Sequence, residues 1–354
     1  MSHNALLPNV TIGLDLGDRM SRTYEVDAGG ACLREGTVPT TVAGITQYFA
    51  KRERCRVVLE VGTHSPWVSR LLEELGHEAI VANPSAMFAG RGRRRRNDRL
   101  DAQFLARQGR ADVTLVSPMQ HRSAAAQRDL EHLHARDQLV AVRTKLINHV
   151  RGAVKSSGCR VSRCSSEAFA KRAAGELPEA LSAALTPLLE VIADLTRRIT
   201  AAERQVAVIM RERHPVAQRL QQPAGVGPLT ALAFVLLIED PKRFRKSRDV
   251  GPYFGLVPRL DDSGDATPQL RISKAGDEFG RRLLVSAAQY ILGPFGPECD
   301  LRRYGTAIAH RGGKNAKKRA VIAVARKLAV LLHQLWVSQA AYDPDYQLKR
   351  RAAA

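Results

Sequence analysis

The stretch CRVVLEVGTHSPWVSRLLEELGHEAIVANP, residues 55–84, decides how the first third of the chain folds. It holds two apolar runs, CRVVLEVG (55–62) and HEAIVANP (77–84). Between them SPWVSRLLEELG (65–76) has its apolar residues at helical spacing and ends on glycine, the residue that most readily closes a helix. The order predicts strand, helix, strand. Upstream, VTIGLDLG (10–17) is a further apolar strand. RTYEVDAGG (22–30) and CLREGTVPT (32–40) alternate and meet at Gly-Gly, which predicts a hairpin. Downstream, NDRLDAQFLARQG (97–109) reads as a helix with Asn97 as its N-cap.

Three strands in hairpin order, then strand–helix–strand–helix, is the order of a ribonuclease-H-like α/β sheet. The middle of the chain is helical. One helix over about 124–154 supplies Leu130, Leu133, Leu139, Val142, Leu146, Val150 and Val154. A second carries Leu181, Leu185, Leu188, Ile192, Leu195, Ile199, Ala202, Val206 and Ile209 in steps of four and three, the period of a coiled-coil seam. Such a seam closes either an antiparallel hairpin within one chain or an interface between protomers. The weakly periodic stretch between them is a loop or a short helix. From residue 221 a mainly α-helical region begins, with Gly225-Val226-Gly227-Pro228 running straight into a helix. The expected division is 1–118, an α/β domain; 119–215, a helical coiled-coil linker; 216–346, a mainly α-helical C-terminal domain; and 347–354, a flexible tail.

The 354 residues carry a net charge of +20, and an excess of that size points to a polyanionic partner. No uninterrupted apolar run reaches the ~18 residues of a membrane span, and the N-terminus lacks a signal pattern, so nucleic acid rather than a membrane is the expected partner. Cys32, Cys55, Cys159, Cys164 and Cys299 are odd in number and not at zinc spacing, as for reduced thiols in a cytoplasmic protein.

Four acids are candidates for chemistry. Asp15 sits on the first apolar strand, where an unpaired carboxylate is costly. Glu60 ends the RVVLE strand, and Asp98 and Asp101 are three apart, on one face of a helix. Converging carboxylates need divalent cations to offset their repulsion, and Mg²⁺ (or Mn²⁺) prefers oxygen ligands while keeping waters and a substrate phosphate. Two such ions can clamp the attacking and leaving oxygens of a phosphodiester. Asp18 and Asp27 read as turn residues. Arg91, Arg93, Arg94, Arg95 and Arg96 stand directly before the helix, where they either form a solvated loop or track phosphates. Arg271, Lys274, Arg281 and Arg282, with Lys314, Lys317, Lys318 and Arg319, form a second basic set. Gly225 and Gly227 open either a tight turn or a phosphate-binding helix terminus.

GLDLG, LEVGTHSPWVSRLLEELGHEAIVANP and NDRLDAQFLAR in the first half resemble the DEDD transposases of bacterial insertion sequences. So do AGVGPLTALAF, FGLVPRLDDSG, RISKAGDEFGRRLL and KKRAVIAVARKLAVLLH in the second. That group includes the Piv-type DNA invertases and the bridge-RNA-guided recombinases. The resemblance implies a RuvC-like domain whose metal-binding acids are Asp15, Glu60, Asp98 and Asp101, a coiled-coil linker and a C-terminal transposase domain. It further implies that Ser263, in a Pro258-to-Ser263-Gly264 motif, attacks DNA, and that a structured guide (bridge) RNA pairs with donor and target DNA. Asp265 replaces the motif's usual second glycine, and Asp261 and Asp262 precede the serine.

The expected function is therefore a DNA recombinase acting through Ser263 with Mg²⁺ at the four acids. Two active sites are needed for exchange, so a homodimer or homotetramer assembled through the 181–209 seam is expected, in the bacterial cytoplasm and associated with the nucleoid. The alternatives are a hydrolytic nuclease or junction resolvase using metal-activated water, and a basic scaffold without catalysis. Ser273, a possible cap for a helix starting near Gly276, is the rival serine and Ser247 a distant third. Tyr253 and Tyr304 lack the basic set of a tyrosine recombinase.

Overall fold

The computed structural model describes residues 8–83, 97–259 and 270–352, which fall into two compact units divided between Arg122 and Ser123. In the first unit, β1 (Thr11–Asp15), β2 (Met20–Val26), β3 (Cys32–Pro39), β4 (Arg56–Glu60) and β5 (Glu78–Ala82) form one mixed sheet in the order β3-β2-β1-β4-β5. The hairpin strands β1, β2 and β3 pair antiparallel, whereas β4 joins β1 and β5 joins β4 in parallel. The parallel β4–β5 pair needs a crossover, and α2 (Ser65–Glu74) supplies it. Helix α1 (Val42–Phe49), between β3 and β4, was not expected; its signal is Thr41, whose hydroxyl caps the Gly44 N–H at 3.0 Å.

Strand periodicity assigns the two faces of the sheet. Ile12 and Leu14 of β1 and Val57 and Leu59 of β4 pack with Ile45, Phe49, Val68 and Leu72 of α1 and α2. The intervening residues face α3 (Asp98–Ala111). Val58 packs with Leu105, while Tyr24 and Val26 pack with Ala102 and Ala106. Gly13 explains how close α3 lies. A Cβ at this position would stand 1.9 Å from the Ala102 carbonyl oxygen and 2.6 Å from the Ala106 nitrogen, so only glycine lets the helix backbone rest on β1. Gly109 does the same over Val58, and the buried Arg56 donates from Nη1 to the Gly109 carbonyl at 3.0 Å. The helix is thus seated along its length.

The second unit is helical among the described residues. Helices α4 (Ala124–Ser156) and α6 (Glu179–Arg213) run antiparallel, as the pairs Arg136–Glu203 and Arg143–Thr196 show, with α5 (Phe169–Ala174) packed beside α6. Leu185, Leu189, Ile192, Leu195, Ile199, Val206 and Ile209 are buried within this chain. The seam therefore closes an internal hairpin. Of the two readings of the seam, the internal hairpin accounts for its buried positions, while Leu181, Leu188 and Ala202 are partly buried.

The rest comprises α7 (Pro215–Arg219), α8 (Pro228–Ile238), α9 (Val250–Tyr253), α10 (Glu278–Leu292), α11 (Asp300–His310), α12 (Ala316–Ser338) and α13 (Tyr346–Ala352). Every residue of α8 from Thr230 to Ile238 is buried, and one core joins it to α4, α6, α10 and α12. Taken alone, α12 is long and apolar enough to cross a membrane, but its Val324, Leu328, Ala329 and Leu332 are fully buried in that core. Of the tail expected to be flexible, residues 347–352 lie in α13. The Gln347 N–H donates to Asp300, and Lys349 pairs with Asp343 at 2.9 Å.

Candidate functional site

Asp15 and Glu60 are the last residues of β1 and β4. The parallel register runs from Thr11↔Arg56 to Leu14↔Leu59, and one further step brings Asp15 level with Glu60. Both project on the face that carries α3, because they follow Gly13 and Val58 by two residues. On α3, Ala102 and Ala106 lie over Gly13, so Asp98, one turn before Ala102, stands over the end of β1 where Asp15 is. Asp101 is the next acid on the same face. Asn97 fixes where the helix begins, its side chain accepting from the Arg99 N–H at 3.0 Å. The two expected halves of the acid set are thereby brought together by a sheet register and a helix seated on a glycine.

Electrostatics report the same convergence. Burial pushes the Asp15 carboxyl up to about 6, with further contributions from Asp98, Asp101 and Glu60 in that order. Asp15 and Glu60 line a cleft of about 390 Å³ together with Leu16, Asp18, Val61, Gly62, Thr63 and His64. Among the described residues no three His, Cys, Asp or Glu side chains form a closed ligand cluster. The four acids share a field without sharing a coordination sphere. That suits a hard cation that keeps waters and takes a phosphate oxygen, since all four donors are carboxylates and their repulsion falls when positive charge is added.

His64 was not expected in this cleft. A lone histidine carries little signal, and the usable clue was Trp67, whose Nε1–H donates to His64 Nδ1 at 3.1 Å. Asp18, read as a turn residue, lines the same cleft with its side chain 93% exposed.

In the second unit the segment holding the serine motif is closed by a neck. The Arg259 N–H donates to the Arg271 carbonyl at 2.9 Å and the Ser273 N–H to the Val257 carbonyl at 2.8 Å, around an antiparallel bridge between Pro258 and Ile272. Ser263, with Gly264, Asp261, Asp262 and Asp265, lies outside the described residues, and so do Arg91, Arg93, Arg94, Arg95 and Arg96. Ser273 does not cap α10. Asp277 does, accepting from the Gly280 N–H at 2.8 Å, and the Ser273 hydroxyl accepts only weakly from the Ala275 N–H at 3.4 Å.

The basic residues divide by role. Arg271, Lys274, Lys314, Lys317, Lys318 and Arg319 are exposed, the last also donating to the Gly312 carbonyl at 3.2 Å. Arg281, expected to meet phosphate, is half-buried, and its Nη1 serves the carbonyls of Phe254, Lys274 and Ala275. It fastens the neck. Arg282 pairs with Asp137. Gly225 meets the demand of a turn, with φ of +81° and Ala287 O only 2.8 Å from a Cβ built there, whereas Gly227 faces open space. Tyr253 is tied into the core, its hydroxyl donating to the Leu237 carbonyl at 2.7 Å.

Two family models match the chain. One, described as Transposase and denoted the DEDD transposase of IS110, covers residues 12–157. The other, the Transposase IS116/IS110/IS902 family, covers residues 217–300. A probable family 20 transposase of Pseudomonas aeruginosa is 28% identical over 94% of this chain and 98% of its own length. The transposase for insertion sequence element IS1328 of Yersinia enterocolitica is 30% identical over 80% of this chain and 84% of its own. The transposase for insertion sequence element IS1111A of Coxiella burnetii is 33% identical over 70% of this chain and 68% of its own. With its acids gathered at the end of a mixed sheet and its serine-motif region within the second match, the chain belongs to the DEDD transposases of the IS110 family, enzymes that cut and rejoin DNA.

Proposed function

We propose that this transposase works by serine-mediated strand exchange, with a RuvC-like first domain (1–118) binding the cation and a C-terminal domain (216–346) delivering Ser263. Residues 119–215 link them. Asp15, Glu60, Asp98 and Asp101 would hold Mg²⁺ (or Mn²⁺), which when bound supplies positive charge for the scissile phosphate and the departing oxygen. The Ser263 hydroxyl gives up its proton and its Oγ bonds to phosphorus as the P–O3′ bond breaks, leaving a phosphoserine and a free 3′ hydroxyl. Attack by a 3′ hydroxyl of the partner strand reverses the step, restoring the phosphodiester and the serine. Bond energy is conserved through the covalent link, in keeping with a sequence that contains no Walker pattern.

The observation that supports the cation site in this reading is the placement of Asp15 and Glu60 at adjacent strand ends beneath the start of α3, where burial first, and then Asp98, Asp101 and Glu60, raise the Asp15 carboxyl. Arg91, Arg93, Arg94, Arg95, Arg96, Arg271, Lys274, Lys314, Lys317, Lys318 and Arg319 would contact nucleic-acid backbone, as would Gly227 at the start of α8. Target choice is assigned to a structured guide (bridge) RNA. Aromatic residues make up only 5% of the chain, so backbone contact suits this protein better than base stacking. The working form is a homodimer or homotetramer joined through a surface other than the closed 185–209 stripe, acting in the bacterial cytoplasm on the nucleoid.

Covalent trapping tests the chemistry. A protein–DNA adduct formed with Mg²⁺ and lost in Ser263→Ala is expected. Full-rate cutting by Ser263→Ala, with no adduct, would instead establish a hydrolytic nuclease using metal-activated water.

A further inference from the structure

Three observations set His64 apart from an ordinary surface histidine. Its ring lines the cleft that Asp15 and Glu60 close, with its side chain 30% exposed. Its Nδ1 accepts the indole N–H of Trp67, and an indole nitrogen can only donate, so the single ring proton of the neutral imidazole sits on Nε2. A proton added at Nδ1 would face the indole N–H and destroy that bond. His64 Nε2 is 3.8 Å from Asp18 Oδ1, beyond hydrogen-bond reach.

The loop that carries the ring is itself held. The Gly62 N–H donates to Ser65 Oγ and the Ser65 hydroxyl to the Gly62 carbonyl, each at 2.9 Å. Ser65 is fully buried, and His121 Nε2 braces its Oγ at 2.9 Å. Trp67 packs against the apolar cluster of β1, β4, α1 and α2. The imidazole is therefore positioned before any ligand arrives.

We infer that His64 is a substrate-contacting residue, donating its neutral Nε2–H to a non-bridging phosphate oxygen of DNA bound in the acid cleft. The inference rests on the proposed reading of that cleft as the cleavage site. A donor is needed there because the walls present Asp15, Asp18 and Glu60 to an incoming polyanion. A lysine or arginine in its place would pair with those carboxylates and compete with the cation. A neutral N–H binds phosphate and leaves the acids ionised for the cation. The role is donation, not proton transfer.

The test uses full-length protein and a plasmid bearing the ends of the element that encodes it, with its guide RNA. His64→Ala should lower the Mg²⁺-dependent cleavage rate by about 10- to 100-fold, the range for losing a hydrogen bond to a charged group. His64→Gln, whose amide N–H reaches about as far as Nε2, should stay within roughly threefold, with the pH profile unchanged in both. Ring ¹⁵N spectra of the metal-free protein should show the Nε2–H tautomer at neutral pH and a shift of that resonance on adding duplex DNA. A wild-type rate in His64→Ala beside an inactive Asp15→Asn control overturns the inference while the reading of the acids stands. An active Asp15→Asn control overturns that reading, and the inference with it. Equal losses in Gln and Ala with a displaced pH limb, or a doubly protonated ring at neutral pH, replace donation by acid–base transfer and also overturn it.

Discussion

Replacing Asp15 by asparagine should stabilise the metal-free protein at neutral pH while abolishing its activity. The Asp15 carboxyl is raised from 3.8 to about 6 by burial and by Asp98, Asp101 and Glu60. The folded state thus binds this proton more tightly than the unfolded state. Asp15 therefore leaves stability untouched below about pH 4, and its penalty grows as pH rises through the window and is complete above about pH 6. Taken at face value the displacement corresponds to ~3 kcal/mol. Water reaches the cleft and screens part of it, so ~1–2 kcal/mol is the expected cost at neutral pH. Asparagine keeps the shape and removes the charge. Unfolding of wild type and Asp15→Asn in the presence of a chelator should show the variant's first-unit transition raised by about 3–8 °C at neutral pH, with the difference shrinking towards zero near pH 4. Added Mg²⁺ should stabilise wild type more than the variant. A variant less stable than wild type at neutral pH, or a gap that does not close on acidification, would show that burial and the neighbouring acids do not raise the Asp15 carboxyl.

Gly13→Ala should cost roughly 3 kcal/mol or more and abolish activity, because its Cβ cannot coexist with the Ala102 carbonyl 1.9 Å away; Gly227→Ala, with open space around it, should unfold within about 1 kcal/mol of wild type. Arg281→Ala should lower stability by about 1–3 kcal/mol by depriving three carbonyls of a donor. Lys317→Ala should leave melting unchanged and reduce the salt dependence of DNA binding by about one unit of slope; the opposite pattern in the pair would reverse their assigned roles. Ile192→Ala should cost about 2–5 kcal/mol and leave the oligomeric state of the folded protein, read by sedimentation, unchanged. A variant that falls apart into folded monomers would return that stripe to a protomer interface.

The sheet was legible because period-2 patterning and a crossover leave few topologies, and β1, β2, β3, β4, β5 and α3 lie where alternation, Gly-Gly and Asn97 place them. The convergence of Asp15 with Glu60 followed from parallel pairing. That of Asp98 and Asp101 depended on Gly13, whose importance comes from a contact 89 residues away with Ala102, and no local pattern encodes such a contact. The same limit separates Arg281 from its neighbours. A guanidinium that fastens carbonyls and one that waits for phosphate have the same sequence signature, and only the carbonyls of Phe254, Lys274 and Ala275 tell them apart. The 181–209 stripe fails to name its partner for a related reason. A heptad states that a face must be buried and is silent on what buries it.

A chain of net charge +20 that presents acids in its cleft poses a physical problem, and the raised Asp15 carboxyl points to its resolution. With that carboxyl at about 6, the metal-free site at neutral pH is ionised but strained, and relief comes from any added positive charge. Surface lysines and arginines cannot give that relief without occupying the cleft themselves, and the one imidazole lining it has its Nδ1 engaged by the Trp67 indole N–H. A phosphodiester alone would deepen the repulsion, and a cation alone would find no closed ligand cluster among the described residues. The two together satisfy both deficits, so each should tighten the other's binding, as linkage requires. Mg²⁺ affinity measured with and without DNA tests this, and equal affinities would mean that the open arrangement of the acids has no part in coupling substrate to cation.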